Sequence, residues 1–118
     1  MSTYTPPTVY ERTCTVVRVV DGDTLHVAAD LGLDVSMNLT LRLYGIDAPE
    51  MSTEAGHVSK AFVETWVAAN GPVFSLRTVK DRREKYGRYL ADLVPQYGGP
   101  MSLCSALLAT GNAKVYLP

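Results

Sequence analysis

Acidic and basic side chains crowd the end of one apolar segment, residues 42–50. Within nine residues the chain has Arg42, Asp47 and Glu50 among leucine, isoleucine and proline. Charged groups are rarely buried beside aliphatic side chains without a partner, so this pattern favours a binding or catalytic site. A second acidic segment, Asp21-Gly22-Asp23-Thr24, lies upstream. We expect the fold to bring the two segments together.

The residues between these segments predict an antiparallel hairpin, with strands over residues 23–31 and 38–46. The register that separates apolar from polar faces puts Leu25 opposite Gly45 and Asp23 opposite Asp47. Like charges directly opposite each other repel. A protonated, hydrogen-bonded pair or a bound divalent cation would each remove the repulsion, and the neighbouring ionisable groups favour the cation. Arg42 then faces away from Asp47, unless the sheet curls strongly into a barrel or a bulge near Gly45 redirects the strand.

The other elements complete an α+β, mainly β pattern. Further strands are predicted over residues 12–20, 73–79 and 89–94, and a short helix over residues 102–109. A longer helix follows the capping sequence Ser52-Thr53-Glu54, and its apolar stripe is assigned to the core: Ala55, Val58, Phe62, Trp66 and Ala69. Three strands, a helix, two strands and a helix predict a five-stranded Greek-key barrel of the OB-fold type. We expect residues 1–11 to form a flexible arm and residues 12–118 to form the domain.

Composition limits the possible partners and compartment. The net charge of −1 does not indicate a nucleic-acid-binding protein by itself, so a basic surface must be local. Residues 80–88 hold five cations and two acids, which fits either a solvated loop or a rim that contacts phosphates. Cys14 and Cys104 show no metal or redox spacing, and we expect buried free thiols. With no signal peptide or membrane span in the pattern, we expect a cytoplasmic protein.

Three motifs, taken together, resemble the staphylococcal nuclease family. They are Asp21-Gly22-Asp23-Thr24, residues 42–50 with their Ile-Asp-Ala-Pro-Glu ending, and Lys85-Tyr86-Gly87-Arg88. The similarity runs through residues 12–116, and the hairpin tip resembles small phage and bacterial members. We expect the third, C-terminal helix of the larger relatives to be absent. A phage-encoded member would act in the host cytoplasm.

The resemblance implies a calcium-dependent phosphodiesterase that acts on DNA, RNA or both and leaves 3′-phosphate ends. One Ca²⁺ ion would be bound by Asp23, Asp47 and the Ala48 carbonyl, with Asp21 in the outer shell. Glu50 would be the general base, and Arg42 and Arg88 would hold the phosphate. The resemblance assigns substrate binding to Lys85, Tyr86 and Tyr116. We expect a monomer without membrane contact.

Other interpretations remain open for parts of this pattern. Asp21 fits a simple Asp-Gly turn as well as a metal site, and Arg88 alone would fit a surface charge. The rival function is a catalytically silent barrel that binds nucleic acid or protein. Such a module would be marked by loss of one or more of the Arg, Asp and Glu positions, and their presence here favours an enzyme.

Overall fold

Nine elements build the structure, a computed structural model that describes residues 9–83, 88–96 and 101–116. In chain order they are β1 (Val9–Asp21), β2 (Thr24–Gly32), β3 (Val35–Leu43), β4 (Ile46–Asp47), α1 (Glu54–Asn70), β5 (Val73–Arg83), β6 (Tyr89–Pro95), α2 (Leu103–Ala109) and β7 (Lys114–Val115). Five strands close into a barrel in the order β1-β2-β3-β6-β5, and β4 pairs separately with β7. β3 and β6 run parallel, and the other neighbouring strands run antiparallel.

This architecture confirms the predicted fold class of a mainly β, OB-fold-type barrel with two helices. β1 begins at Val9, three residues before the boundary predicted for the arm, and pairs with β5 along residues 9–15. The rest of the predicted arm, residues 1–8, lies outside the described residues. Neither described helix has the length and apolar character that a membrane-crossing helix needs.

The register predicted for the β2–β3 hairpin is wrong by four residues. Leu25 pairs with Leu41, and Asp47 belongs to β4 rather than to the strand opposite β2. The predicted pairing of Asp23 with Asp47 across the hairpin is therefore wrong. A slip by an even number of residues keeps the same side chains on each face, because side-chain direction alternates with period two. Hydrophobic pattern excluded odd slips only.

The turn at the hairpin tip and an irregularity in pairing between Asp30 and Gly32 together decide the register. Leu33 and Asp34 have positive φ angles of 54° and 61°, and they connect Gly32 directly to Val35. Two consecutive residues with positive φ are typical of a type I′ hairpin turn, which usually requires Asn or Gly. Leu33 is a poor residue for that conformation, so the sequence did not indicate such a tight turn. β3 consequently begins at Val35 instead of residue 38.

The core fills the barrel and the space beneath the helices. Trp66 of α1 stacks on Phe74 with ring centroids 5.4 Å apart, which confirms its packing role. Both cysteines are free and buried; burial raises the pKa of Cys14 to about 12 and raises that of Cys104 further. The largest fully buried side chains include Leu25, Val27, Leu41, Leu43, Ile46, Val63, Phe74, Leu76, Leu93, Leu103 and Leu107.

The face of α1 that packs on the barrel matches the predicted stripe only in part: Phe62 and Trp66 pack against the core, whereas Ala55 and Ala69 are exposed. Val58 is 55% exposed, whereas Gly56, Ser59 and Val63 are buried. The helix begins after Thr53, whose Oγ1 accepts a hydrogen bond from the Gly56 N–H at 3.0 Å. Small residues let the first turns approach the barrel closely. A count of apolar side chains could not find the first part of this face, because Gly56 and Ser59 carry no hydrophobic signal.

Replacing Leu33 with asparagine should stabilise the protein. The Leu33 side chain is 98% exposed, so it contributes little packing, and its left-handed backbone is unfavourable for a bulky residue. Asparagine tolerates that conformation, and we expect Leu33→Asn to raise the free energy of unfolding by about 1 kcal/mol. Urea unfolding measures the change. Leu31→Asn, nearby in β2, is the control and should give no gain; an equal gain in both variants would contradict the turn assignment.

Candidate active site at the β1–β2 turn and the end of β3

Arg42, near the end of β3, joins the segments that carry the acidic residues. Its Nη1 lies 3.5 Å from Asp23 Oδ2, and its Nη2 lies 3.3 Å from Asp47 Oδ1. The side chain is only 15% exposed. Arg42 thus supplies a positive charge between the two carboxylates that the sequence predicted to lie close together. They meet through this guanidinium, and not by direct opposition in the hairpin.

The turn after β3 explains how Arg42 and Asp47 reach the same site although the strand pattern places them on opposite faces. Arg42 Nη1 also donates to the carbonyls of Leu43 at 3.0 Å and Ile46 at 2.9 Å. Between them Gly45 adopts a positive φ of 76°, which glycine tolerates without steric cost. The chain therefore reverses around the guanidinium and returns Asp47 to the same side. Gly45 redirects the chain as expected, although it does so in a turn beyond the end of β3.

Asp23 is the most enclosed acid of the site, with its side chain 11% exposed. Its Oδ2 accepts the Ala48 N–H at 3.0 Å, and its Oδ1 accepts the Thr24 hydroxyl at 3.1 Å. Burial opposes ionisation, but hydrogen bonds from Asp21, Ala48 and Thr24 and the positive charge of Arg42 outweigh it. Together they lower the pKa of Asp23 below its ordinary value.

Asp21 closes the β1–β2 turn. Its Oδ1 accepts the Asp23 N–H at 3.0 Å, an arrangement typical of aspartate in turns. Burial raises the pKa of Asp21, and the hydrogen bond and negative charge of Asp23 raise it further. The geometry therefore gives Asp21 the turn role that the sequence left open. It also lies directly beside Asp23, so an additional outer-shell role stays a prediction.

Glu50 is anchored through its backbone while its side chain is exposed. The Glu50 carbonyl accepts hydrogen bonds from Thr53 N at 3.0 Å and Thr53 Oγ1 at 2.6 Å. A methyl group on Gly56 would collide with the same carbonyl. The first turn of α1 thus fixes the segment that carries Glu50. Its side chain lines an open cleft of about 540 Å³ together with Asp47 and Lys114.

Arg88 reaches the same site from the segment before β6. Its Nη1 lies 3.4 Å from Thr24 Oγ1, and that hydroxyl donates to Asp23 Oδ1. Thr24 is buried and was not among the predicted site residues, although it belongs to the Asp-Gly-Asp-Thr motif. A hydroxyl can accept one hydrogen bond while donating another, so Thr24 connects the arginine to the carboxylate.

The predicted substrate-binding residues are only partly described. Lys85 and Tyr86 lie outside the described residues. Tyr116 is exposed, and its backbone N–H donates to the Gly45 carbonyl at 2.9 Å, which brings it to the turn after β3. Lys114 was missed: it pairs in register with Asp47 in the β4–β7 sheet. β4 and β7 are each two residues long, which is too short for a sequence pattern to predict their pairing. Lys114 was therefore found only in the structure.

The site offers oxygen atoms for a cation. Asp23 and Asp47 supply carboxylates, and the Ala48 segment lies against Asp23 through its N–H. Within the part of the chain that the structure describes, no three His, Cys, Asp or Glu side chains form a ready cluster for a metal ion. A cation would therefore need backbone or water oxygens beside the two aspartates. Such mixed oxygen sets suit Ca²⁺.

Comparison with known proteins identifies the family. The family described as staphylococcal nuclease homologues matches residues 40–117, which include Arg42, Asp47, Glu50 and Arg88. The chain belongs to the staphylococcal nuclease family. Two Escherichia coli proteins, one from strain O157:H7, are each called an uncharacterized endonuclease. The present chain is 32% identical to each of them over 101 residues. An uncharacterized Methanocaldococcus jannaschii protein is 27% identical over 125 residues.

This chain spans a little under two thirds of the length of the relatives that it matches. Each alignment covers 86% of this chain, but only 59% of the Escherichia coli proteins and 58% of the Methanocaldococcus jannaschii protein. The family match begins at residue 40 and leaves out the segment with Asp21 and Asp23. The contact of Asp23 with Arg42 is instead seen in the structure, where the barrel brings the two segments together.

Replacing Asp21 with asparagine should stabilise the cation-free protein at neutral pH. Because its folded-state pKa is raised, ionised Asp21 costs stability above that pKa, and the cost disappears as the pH falls below the ordinary aspartate value. Asparagine keeps the acceptor for the Asp23 N–H without the charge. We expect Asp21→Asn to raise the melting temperature at pH 7 in chelator, with a gain that shrinks on acidification.

Asp23→Asn is the matched comparison and should have the opposite sign. The lowered pKa of Asp23 contributes stability above the ordinary aspartate value, and this contribution is lost as the pH falls through the folded-state pKa. Melting temperatures of both variants between pH 3 and pH 7 would test the pair. Stabilisation by Asp23→Asn at pH 7 would contradict the assigned electrostatics.

Proposed function

We propose that this chain is a calcium-dependent nuclease that hydrolyses phosphodiester bonds of DNA, RNA or both. The observation that carries the proposal is the meeting of four separate segments at Arg42. Asp23, Asp47 and Arg42 are in contact, and Arg88 joins them through Thr24. Family membership and the endonuclease names of two relatives support the same activity.

Asp23, Asp47 and the Ala48 carbonyl would hold one Ca²⁺ ion, with Asp21 in its outer shell. All of these donors are oxygen atoms, as this hard cation requires. When bound, the ion supplies charge neutralisation for the phosphate and lowers the pKa of a nearby water. Arg42 contacts one oxygen of each aspartate in the structure, so the ion would share the two carboxylates with Arg42.

Glu50 would be the general base that removes a proton from the attacking water. Its carboxylate is exposed and lines the same cleft as Asp47. Thr53 holds the Glu50 backbone against the start of α1, so the position of the Glu50 Cα is fixed while its side chain is free to rotate. A base anchored in this way can reach a water molecule in the cleft without occupying the position of a metal ligand.

Arg42 and Arg88 would bind the phosphate and stabilise the charge that develops on its oxygens. Each guanidinium offers a planar set of donors that matches phosphate geometry. The carbonyls of Leu43 and Ile46 fix Arg42 through Nη1, and Thr24 contacts Nη1 of Arg88. Donors held in advance cost little reorganisation during the reaction. Departure of the 5′-oxygen would leave 3′-phosphate ends.

Substrate beyond the reacting phosphate would be held by the residues flanking the site. We propose that Lys85 and Tyr86 contact a terminal phosphate and that Tyr116 stacks on a base. Tyr116 is exposed beside the turn that contains Gly45, which is compatible with stacking. The protein would act as a monomer, and the residues before Tyr10 would take no part in catalysis.

Glu50→Gln should abolish most of the activity while leaving the fold intact. General-base assistance is typically worth about 10²- to 10⁴-fold in rate, and glutamine cannot accept the proton. The assay incubates single- and double-stranded DNA and RNA with the purified protein, in Ca²⁺ or in chelator. Glu54→Gln, an exposed acid in the first turn of α1, is the matched control and should retain full activity.

The same assay separates the nuclease from a silent binding module. A nuclease gives Ca²⁺-dependent cleavage and products that carry 3′-phosphate ends. A folded protein that binds nucleic acid without cleaving any substrate in Ca²⁺ would be a silent module, and the proposal would be wrong. Equal losses of activity in Glu50→Gln and Glu54→Gln would contradict the assignment of Glu50 as the general base, but not the nuclease activity.

Arg88→Lys should lower the rate of cleavage by about 10²-fold, the usual effect of losing one preorganised donor to the reacting group. Lysine keeps the charge but cannot present a planar pair of donors. Arg18→Lys, at an exposed position of β1, is the control and should have no effect. Single-turnover cleavage measures the rate, and thermal unfolding checks the fold. A wild-type rate in Arg88→Lys would show that only its charge matters.

A further inference from the structure

Ser59 of α1 carries a buried hydroxyl without a partner. The residue is 0% exposed, and its Oγ is the one buried side-chain polar atom that lacks a hydrogen bond within the described residues. Burying an unpaired hydroxyl is costly. Alanine would occupy the same place without that cost and has a higher helix propensity. The hydroxyl therefore lowers stability at this position and calls for an explanation.

The position of Ser59 is directly beneath the acidic site. A methyl group on Gly22 would collide with Ser59 Oγ and would lie 2.9 Å from Ser59 Cβ and 2.8 Å from Ala48 Cβ. The Ser59 hydroxyl thus contacts the centre of the Asp21–Asp23 turn, next to the segment that follows Asp47. The Asp21–Asp23 turn therefore packs at Gly22 against both Ser59 and Ala48.

Cation binding would change the hydrogen bonds directly above Ser59. In the structure Asp21 Oδ1 accepts the Asp23 N–H, and Asp23 Oδ2 accepts the Ala48 N–H, both at 3.0 Å. The proposed function gives oxygens of these carboxylates to Ca²⁺. Backbone groups of the turn and of Ala48 must then adjust. The Ser59 hydroxyl lies at Gly22, in the middle of this turn, and it can rotate either to donate or to accept a hydrogen bond.

We propose that Ser59 is a positioning residue for the cation site. Its hydroxyl gains a hydrogen bond to the backbone of the Asp21–Asp23 turn or of Ala48 when a divalent cation binds. The unpaired hydroxyl destabilises the cation-free form, and the new bond strengthens cation binding. This inference rests on the proposed function, because it requires the aspartates above Ser59 to bind Ca²⁺.

The test compares Ser59→Ala with the wild-type protein in two measurements. Isothermal titration with Ca²⁺ gives the affinity, and thermal unfolding in chelator gives the stability of the cation-free form. We expect the variant to bind Ca²⁺ about two- to tenfold more weakly, the fold-change of one net hydrogen bond. Its melting temperature in chelator should be equal to or higher than that of the wild type.

Val63→Ala is the matched control for a purely structural effect. Val63 lies one turn further along the buried face of α1 and is 0% exposed. Its truncation should lower the melting temperature in chelator without changing Ca²⁺ affinity, when affinity is measured well below that temperature. We therefore expect Ser59→Ala to weaken Ca²⁺ affinity and Val63→Ala to lower the melting temperature.

Two results would overturn the inference. One is an unchanged Ca²⁺ affinity in Ser59→Ala, as a permanently bound water on the hydroxyl would give. The other is a joint loss of affinity and melting temperature, which marks a structural residue. A wild-type protein that binds no Ca²⁺ would instead overturn the proposed function, and the inference with it. The wild-type titration therefore separates the two failures.

Discussion

The ion pairs of Arg42 with Asp23 and Asp47 are the interaction on which the site depends. One guanidinium contacts both carboxylates and also donates to the carbonyls of Leu43 and Ile46. Removing it would leave a largely buried carboxylate and two backbone acceptors without their donor. Breaking such a partnership is costly because the remaining groups stay desolvated. The same contacts orient the guanidinium toward the acidic cluster.

Close packing against α1 gives the site its second support. Gly22 lies on Ser59, and Gly56 lies on the Glu50 carbonyl; a methyl group at either glycine would collide with its neighbour. The acidic turn and the segment with Glu50 are therefore both seated on the first two turns of one helix. Small residues allow this approach, and the Thr53 cap holds the start of the helix. The helix thus fixes the position of the Asp21–Asp23 turn relative to the segment that carries Glu50.

The sequence predicted most of this arrangement, but for reasons that were partly different. It indicated the barrel, the helices and the residues of the site from strand patterning, caps and motif order. It gave the wrong hairpin register, because a slip of four residues leaves the inward face unchanged and the left-handed turn uses Leu33 instead of glycine or asparagine. It placed the buried face of α1 only in part correctly: Phe62 and Trp66 pack on the core, but Gly56 and Ser59 are buried where the pattern expected Ala55 and Val58.

By itself, therefore, the sequence determined which chemical groups are available and which strands and helices carry them. Periodicity and local caps act over a few residues and can be read from their order. Only the tertiary structure decided that Arg42 separates the two aspartates, that Thr24 joins Arg88 to Asp23, and that Lys114 pairs with Asp47. These contacts join residues that are distant in the chain, and barrel closure and the turn at Gly45 determine them.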